Sequence, residues 1–194
     1  KRVVDEMKKG LITLVVVGYN RPDSIRRILG SLERADYDYE DIRLVVSIDH
    51  SGMEEVVRTA EECVWSHGSK EVFYRPERLG LRKHIISCGD MTEKYGAVMI
   101  LEDDLFVSPD FYNYAMQALE RYGDDPRIAG ISLNTKRELL ESPYPFFPLH
   151  TGYDVYFQQF ASSWGQVWNR RMWADFKEWY EQNQTLPRDV NVPL

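Results

Sequence analysis

The residues with the clearest chemical potential are three consecutive carboxylates, Glu102-Asp103-Asp104. Adjacent like charges repel, so such a triplet needs either solvent or a bound cation. Carboxylate oxygens suit the hard ions Mg2+ and Mn2+, which share their coordination shell with phosphates and water. At a strand end Glu102 and Asp104 would point to one side and Asp103 to the other, so neighbouring residues could serve a metal and a sugar hydroxyl. A bare triplet also fits a solvated loop, or carboxylates capping a helix that begins near Pro109. Its context favours a site: it follows Val98-Met99-Ile100-Leu101 without a linker, and other polar strand ends lie in the same half of the chain.

The elements that must position this cluster are short and alternate in type. Residues 11–17 form an apolar, β-branched run that ends in Gly18-Tyr19-Asn20-Arg21-Pro22. Asp23 or Ser24 can cap a helix to about Arg34, with Ile25, Ile28, Leu29 and Leu32 on one face. A second run, 42–48, ends in Asp49-His50-Ser51-Gly52, and a helix over about 53–67 would turn Val56, Val57, Ala60 and Val64 inward. A short strand at 72–74, a helix over 81–95 and a strand at 97–101 lead into the triplet. A helix over about 109–122 and a strand near 128–133 follow. This alternation predicts an α/β fold with a mainly parallel sheet flanked by helices. Ligands of such sheets bind outside the carboxyl ends of the strands. The polar clusters at 19–21, 49 and 102–104 should therefore converge on one edge.

The segment Val98 to Phe111, VMILEDDLFVSPDF, resembles the signature of the N-acetylglucosaminyltransferase I family of GT-A glycosyltransferases, an E-D-D variant of D-x-D followed by P-D-F. The segment 15–22 is similar to the GT-A donor loop, and Val46-Ser47-Ile48-Asp49 to the strand end that contacts uracil. The N-terminal half also resembles bacterial and processive inverting transferases. The resemblance covers about residues 11–180. It implies one Rossmann-like GT-A domain over 1–194, with a nucleotide-binding half (about 11–105) and an acceptor-side half (about 106–194) truncated at its C-terminus. It also implies that Asp104 binds Mn2+ (or Mg2+), Asp103 contacts the ribose and Glu102 the donor sugar. Asp49 would meet the uracil, Arg21 would flank the base, and His84 would be the histidine that contacts the nucleotide. Each has a plainer reading: Arg21 as a surface residue before a helix, Asp49 as a turn former with Ser51-Gly52, and His84 as part of a solvated helix face with Arg82 and Lys83.

All but one of the five tryptophans lie between Trp164 and Tyr180. Trp168, Met172, Trp173, Phe176 and Trp179 recur at helical spacing and read as core. Trp164 precedes that helix and is the best aromatic candidate for stacking on a sugar. Residues 136–160 read as an aromatic loop. Cys63 and Cys88 read as buried thiols of a reducing compartment. A formal charge of −7 argues against broad nucleic-acid binding, which needs a positive surface. No stretch reaches the ~20 apolar residues of a transmembrane helix. The chain has no glycine-rich phosphate loop of the form G-x-x-x-x-G-K-S/T, and no H-E-x-x-H, C-x-x-C or G-x-S-x-G.

The expected activity is inverting transfer of a sugar, GlcNAc being one candidate, from a UDP-sugar to a glycan or other hydroxyl acceptor. Inversion by direct displacement requires a general base. Asp175 and Glu178 are weak candidates, and the base is expected beyond Leu194. The alternatives are a catalytically silent nucleotide-sugar-binding module and a nucleotidyltransferase. The start at Lys1 suggests an excised domain or fragment. A cytoplasmic location is preferred, with the Golgi lumen expected for a eukaryotic excised domain.

Overall fold

The computed structural model describes residues 11–134, 145–149, 152–153, 155–159 and 162–183. The first half alternates strictly: β1 (Thr13–Gly18), α1 (Pro22–Glu33), β2 (Leu44–Ile48), α2 (Glu54–Glu62) and β3 (Lys70–Tyr74). Helices α3 (Leu81–Gly89) and α4 (Thr92–Tyr95) then lead to β4 (Ala97–Glu102). Helix α5 (Phe111–Tyr122), β5 (Ile131–Ser132), β6 (Gln166–Asn169) and α6 (Arg170–Gln182) complete the order. The strands form one sheet, β3-β2-β1-β4-β6-β5. Its β3-β2-β1-β4 part is parallel, with Val15 opposite Val45 and Ile100, and β6 runs antiparallel to both β4 and β5.

Continuous apolar runs are what a sheet covered on both faces requires. Successive side chains divide between two cores. Leu14, Val16, Leu44, Val46, Met99 and Leu101 pack in one core with Ile25, Ile28, Val56, Phe111 and Tyr112 from α1, α2 and α5. Val15, Val17, Val45, Val98 and Ile100 pack in the other with Cys88, Met172 and Trp173 from α3 and α6. Pro22 opens α1, a position where its missing N–H costs nothing. The preceding residue, Arg21, makes no side-chain cap, because a guanidinium has no acceptor to offer the helix N–H groups.

Several boundaries differ from those expected. The helix expected over 81–95 is two, because the chain leaves α3 at Gly89 and re-enters a helix at Thr92. A side chain at Gly89 would lie 2.1 Å from the Trp173 ring, so close packing on α6 defines that end. Helix α2 stops at Glu62, with Cys63 extended, and Val64 is 71% exposed rather than inward. Trp168 belongs to strand β6, opposite Val98, so the helical spacing of the tryptophans crosses a strand–helix junction at Asn169. Asn169 caps α6 by accepting from the Met172 N–H at 2.9 Å. Trp168 and Trp173 are buried as expected of core, whereas Trp179 is exposed. Helix α5 begins at Phe111 rather than Pro109, and the strand expected over 128–133 shortens to two residues.

Both cysteines are free, Cys88 buried and Cys63 partly so. Most of the expected aromatic loop, 136–160, lies outside the described residues, as does the segment around Leu194. Among the described residues, no helix is long and apolar enough to cross a membrane.

Candidate functional site

The carboxyl ends of β1, β2 and β4 lie side by side, and the predicted polar clusters meet there. Arg21, three residues past β1, reaches across to the β4 terminus. Its Nε donates to Asp103 Oδ2 at 3.2 Å, and its Nη2 donates to Asp103 Oδ1, closing a two-point fork. Nη1 lies 3.5 Å from Asp104 Oδ2. The planar guanidinium matches a carboxylate in this way, and Lys would not. Burial holds the Asp103 carboxyl above its ordinary value, and the Arg21 fork offsets only part of that rise. Arg27, one turn into α1, donates to the backbone carbonyl of Asp104 at 2.8 Å, so two arginines pin the triplet's backbone and side chains.

Asp49, at the end of β2, is 3% exposed. Its Oδ1 accepts from the N–H groups of His50 at 3.0 Å and Leu79 at 2.8 Å, and its Oδ2 from Gly80 at 2.9 Å. Burial disfavours its charge, yet these backbone donors outweigh it and hold the carboxyl below its ordinary value. The carboxylate thus staples the loop after β3 onto the end of β2. Gly80 sits at φ 77°, a left-handed conformation that suits glycine and lets its N–H turn toward Asp49. One turn later, His84 is buried on α3 rather than on a solvated face, with Nε2 2.8 Å from Ser47 Oγ. Burial, aided by the nearby Arg75 guanidinium, lowers its pKa to about 4, so the imidazole is neutral at neutral pH.

A cavity of about 200 Å³ opens among these groups, lined by Tyr19, Arg21, Asp49, Arg78, His84, Glu102 and Asp103, with Val17, Gly18, Gly80 and Leu81. The structure therefore brings together five of the predicted site residues: Arg21, Asp49, His84, Glu102 and Asp103. Asp104 adjoins the cavity through Arg21, with its side chain 48% exposed. Trp164 is 57% exposed and lies two residues beyond the last β4–β6 pair, Ile100 with Gln166, on the side toward Glu102. Asp175 and Glu178 are not brought to the cavity. Asp175 pairs with Arg171 at 2.9 Å and Glu178 accepts from Gln182 at 3.4 Å, both as ordinary helix-surface carboxylates.

Tyr19 and Arg78 line the cavity without having been singled out. Tyr19 stood within the polar cluster that drew attention to Arg21. Arg78 carried no local signal, because its position depends on the Asp49 staple. A larger cavity of about 780 Å³ lies between α5, β5 and α6, around Tyr122, Phe157, Trp168, Arg171 and Phe176. None of the triplet, Arg21, Asp49 or His84 lines it, whereas Asp175 of α6 does.

Among the described residues, no group of three or more His, Cys, Asp and Glu side chains is arranged to hold a metal. A metal at this edge would rest on few protein ligands and on a bound anion. Asp104 is half exposed and held to Arg21 only by a 3.5 Å contact, less firmly than Asp103 in its two-point fork.

The fold resembles that of a mannosyltransferase, PcManGT from Pyrobaculum calidifontis, solved in complex with GDP-Man and Mn2+. That likeness has a TM-score of 0.50 at 23% identity, over 65% of this chain and 35% of that one. The 1–349 part of S. aureus TarS, solved in complex with UDP-GlcNAc, matches at 13% identity with a TM-score of 0.42, over 58% of this chain and 32% of that one. This chain thus spans about a third of either, and the first likeness supports the GT-A arrangement of sheet and helices. None of the curated proteins matches the chain in sequence. The family model for glycosyl transferase family 2 matches residues 13–174, which takes in both cores, the acidic triplet and the cavity. The chain belongs to glycosyl transferase family 2.

Proposed function

We propose that this protein transfers a sugar from a nucleotide-diphosphate sugar to a hydroxyl acceptor, with inversion at the anomeric carbon. The observation that carries the reading is the convergence of Arg21, Asp49, His84, Glu102 and Asp103 on one cavity at the carboxyl edge of the parallel strands. The donor's base lies toward Asp49 and His84, and its ribose and sugar toward Asp103 and Glu102. A carboxylate has about four acceptor positions, so Asp49 keeps one for a base N–H beyond its three backbone donors. Neutral His84 adds a hydrogen-bonding edge without a charge.

In the reaction an acceptor oxygen attacks the anomeric carbon as the bond from that carbon to the diphosphate breaks. The nucleoside diphosphate leaves, and the hydroxyl proton passes to a base. Asp104 would hold Mn2+ or Mg2+ there, and the ion would supply charge neutralisation on the leaving group. PcManGT, with its bound GDP-Man and Mn2+, supports a metal-assisted nucleotide-sugar chemistry in this fold. The E-D-D segment's resemblance to N-acetylglucosaminyltransferases supports UDP-GlcNAc as the donor.

One observation favours a second reading, a module that binds nucleotide sugar without transferring it. Of the carboxylates lining the cavity, Asp49 and Asp103 are already hydrogen-bonded, which leaves Glu102. Calorimetric titration with UDP-, GDP- and CDP-sugars, with and without Mn2+, separates the cases. Metal-dependent binding with slow donor hydrolysis supports the transferase, binding with no turnover supports the module, and no nucleotide binding defeats both.

A further inference from the structure

Resting on the nucleotide-sugar reading above, we infer that Arg78 is the side chain that grips the donor's diphosphate, held in place by Tyr19. The cavity has a phosphate problem. Phosphate sites commonly use backbone N–H groups from a glycine-rich loop, and this chain has no such loop. The N–H groups of Leu79 and Gly80, in the loop beside the cavity, are already consumed by the Asp49 carboxylate. Arg21, the other cation of the lining, has its guanidinium engaged by Asp103 and Asp104. The lining carries three carboxylates (Asp49, Glu102, Asp103) against two guanidiniums, with His84 neutral. Beside any metal at Asp104, a dianionic diphosphate entering such a site calls for an uncommitted cation from the protein itself.

Arg78 is that cation. It lines the cavity, and among the described residues it pairs with no carboxylate. Its Cζ lies 5.1 Å from the centroid of the Tyr19 ring, within cation–π range. The contact joins the loop after β3 to the loop after β1, the two strands that flank β2. Tyr19 thereby restrains the long side chain at the cavity mouth without using any of its N–H donors. A restrained guanidinium with free N–H groups is the planar, two-point partner that phosphate oxygens favour. Arg78 thus distinguishes a nucleoside diphosphate from the bare nucleoside, while Asp49 and His84 serve the base.

The test compares UDP with uridine, and GDP with guanosine, by calorimetry without metal, on wild type, Arg78→Gln, Arg78→Lys and Tyr19→Ala. Wild type is expected to prefer one diphosphate over its own nucleoside. Arg78→Gln should lower that diphosphate's affinity by about tenfold or more, the worth of a charge-assisted hydrogen bond, and leave the nucleoside's unchanged. Arg78→Lys should restore only part of the loss. Tyr19→Ala should weaken diphosphate binding in wild type and have little further effect in Arg78→Gln. Equal losses for nucleoside and diphosphate, or diphosphate affinity unchanged in Arg78→Gln, would overturn the assignment while leaving the nucleotide-sugar reading intact. A wild type that binds no nucleotide without metal would overturn the assignment, and one that binds none even with Mn2+ would overturn both. Arg78 is exposed, so the thermal midpoint of the Gln variant should match wild type.

Discussion

Replacing Asp49 by Asn probes the staple that builds the site. The two side chains have nearly the same volume, and the position is 3% exposed, so packing changes little. Hydrogen bonding changes sharply. Asp49 Oδ1 serves His50 and Leu79, and Oδ2 serves Gly80. An Asn amide has one acceptor oxygen, so its NH2 must face at least one backbone N–H, donor against donor. Leaving a buried donor unsatisfied costs about 1–3 kcal/mol. For a chain of this size each kcal/mol shifts the thermal midpoint by about 2–4 °C, so a drop of about 2–12 °C is expected at pH 7. The sign with pH follows from the native carboxyl sitting below its ordinary value. Its contribution is complete above the unfolded carboxyl pKa, about 4, and is lost as pH falls through the depressed native value. The gap between wild type and variant should therefore be full at neutral pH and narrow in acid. Calorimetric melts from pH 7 to pH 3 measure it directly. A variant that melts within about 1 °C of wild type at pH 7 would refute the staple, on the same conversion.

Three further outcomes follow from the same geometry. His84 titrates near 6.5 when unfolded and about 4 when folded, so stability should fall progressively as pH drops from about 6.5 to about 4. The acid slope of the melting midpoint should flatten in His84→Gln, and an unchanged slope would contradict a buried neutral imidazole. Gly89→Ala should lower the melting midpoint, since its methyl would lie 2.1 Å from the Trp173 ring and overpacking costs about 1–3 kcal/mol; a wild-type melt would show that α3 and α6 are packed less closely. Asp104→Ala should abolish metal-stimulated turnover and leave the fold intact, because its side chain is half exposed. Wild-type metal response in that variant would remove Asp104 from the metal's coordination.

Apolar run length and the residues at strand ends were legible without the fold. The runs 11–17, 42–48 and 97–101 are too apolar to lie at a surface, and each ends in polar groups that a parallel sheet collects on one edge. Arg21, Asp49 and the E-D-D triplet could be named on that basis, before any distance was known. The helical spacing of Trp168 with Met172, Trp173 and Phe176 misled, because periodicity cannot see that Asn169 caps a new helix after a strand. Val64 misled for a related reason, since the chain leaves α2 one residue before it.

What each carboxylate contacts was decided by tertiary structure alone. Asp103 meets Arg21 across 82 positions of chain, and Asp49 meets Gly80 across 31, and no local pattern encodes either pair. His84 looked like part of a charged helix surface, yet the sheet buries it against Ser47 and strips its charge. Arg78 became visible only when the staple carried it to Tyr19. Local sequence determines where strands end and which polar groups stand there, because those depend on burial and backbone preference. Pairing, charge state and freedom to bind depend on distances between segments far apart in the chain, and those exist only once the sheet has formed.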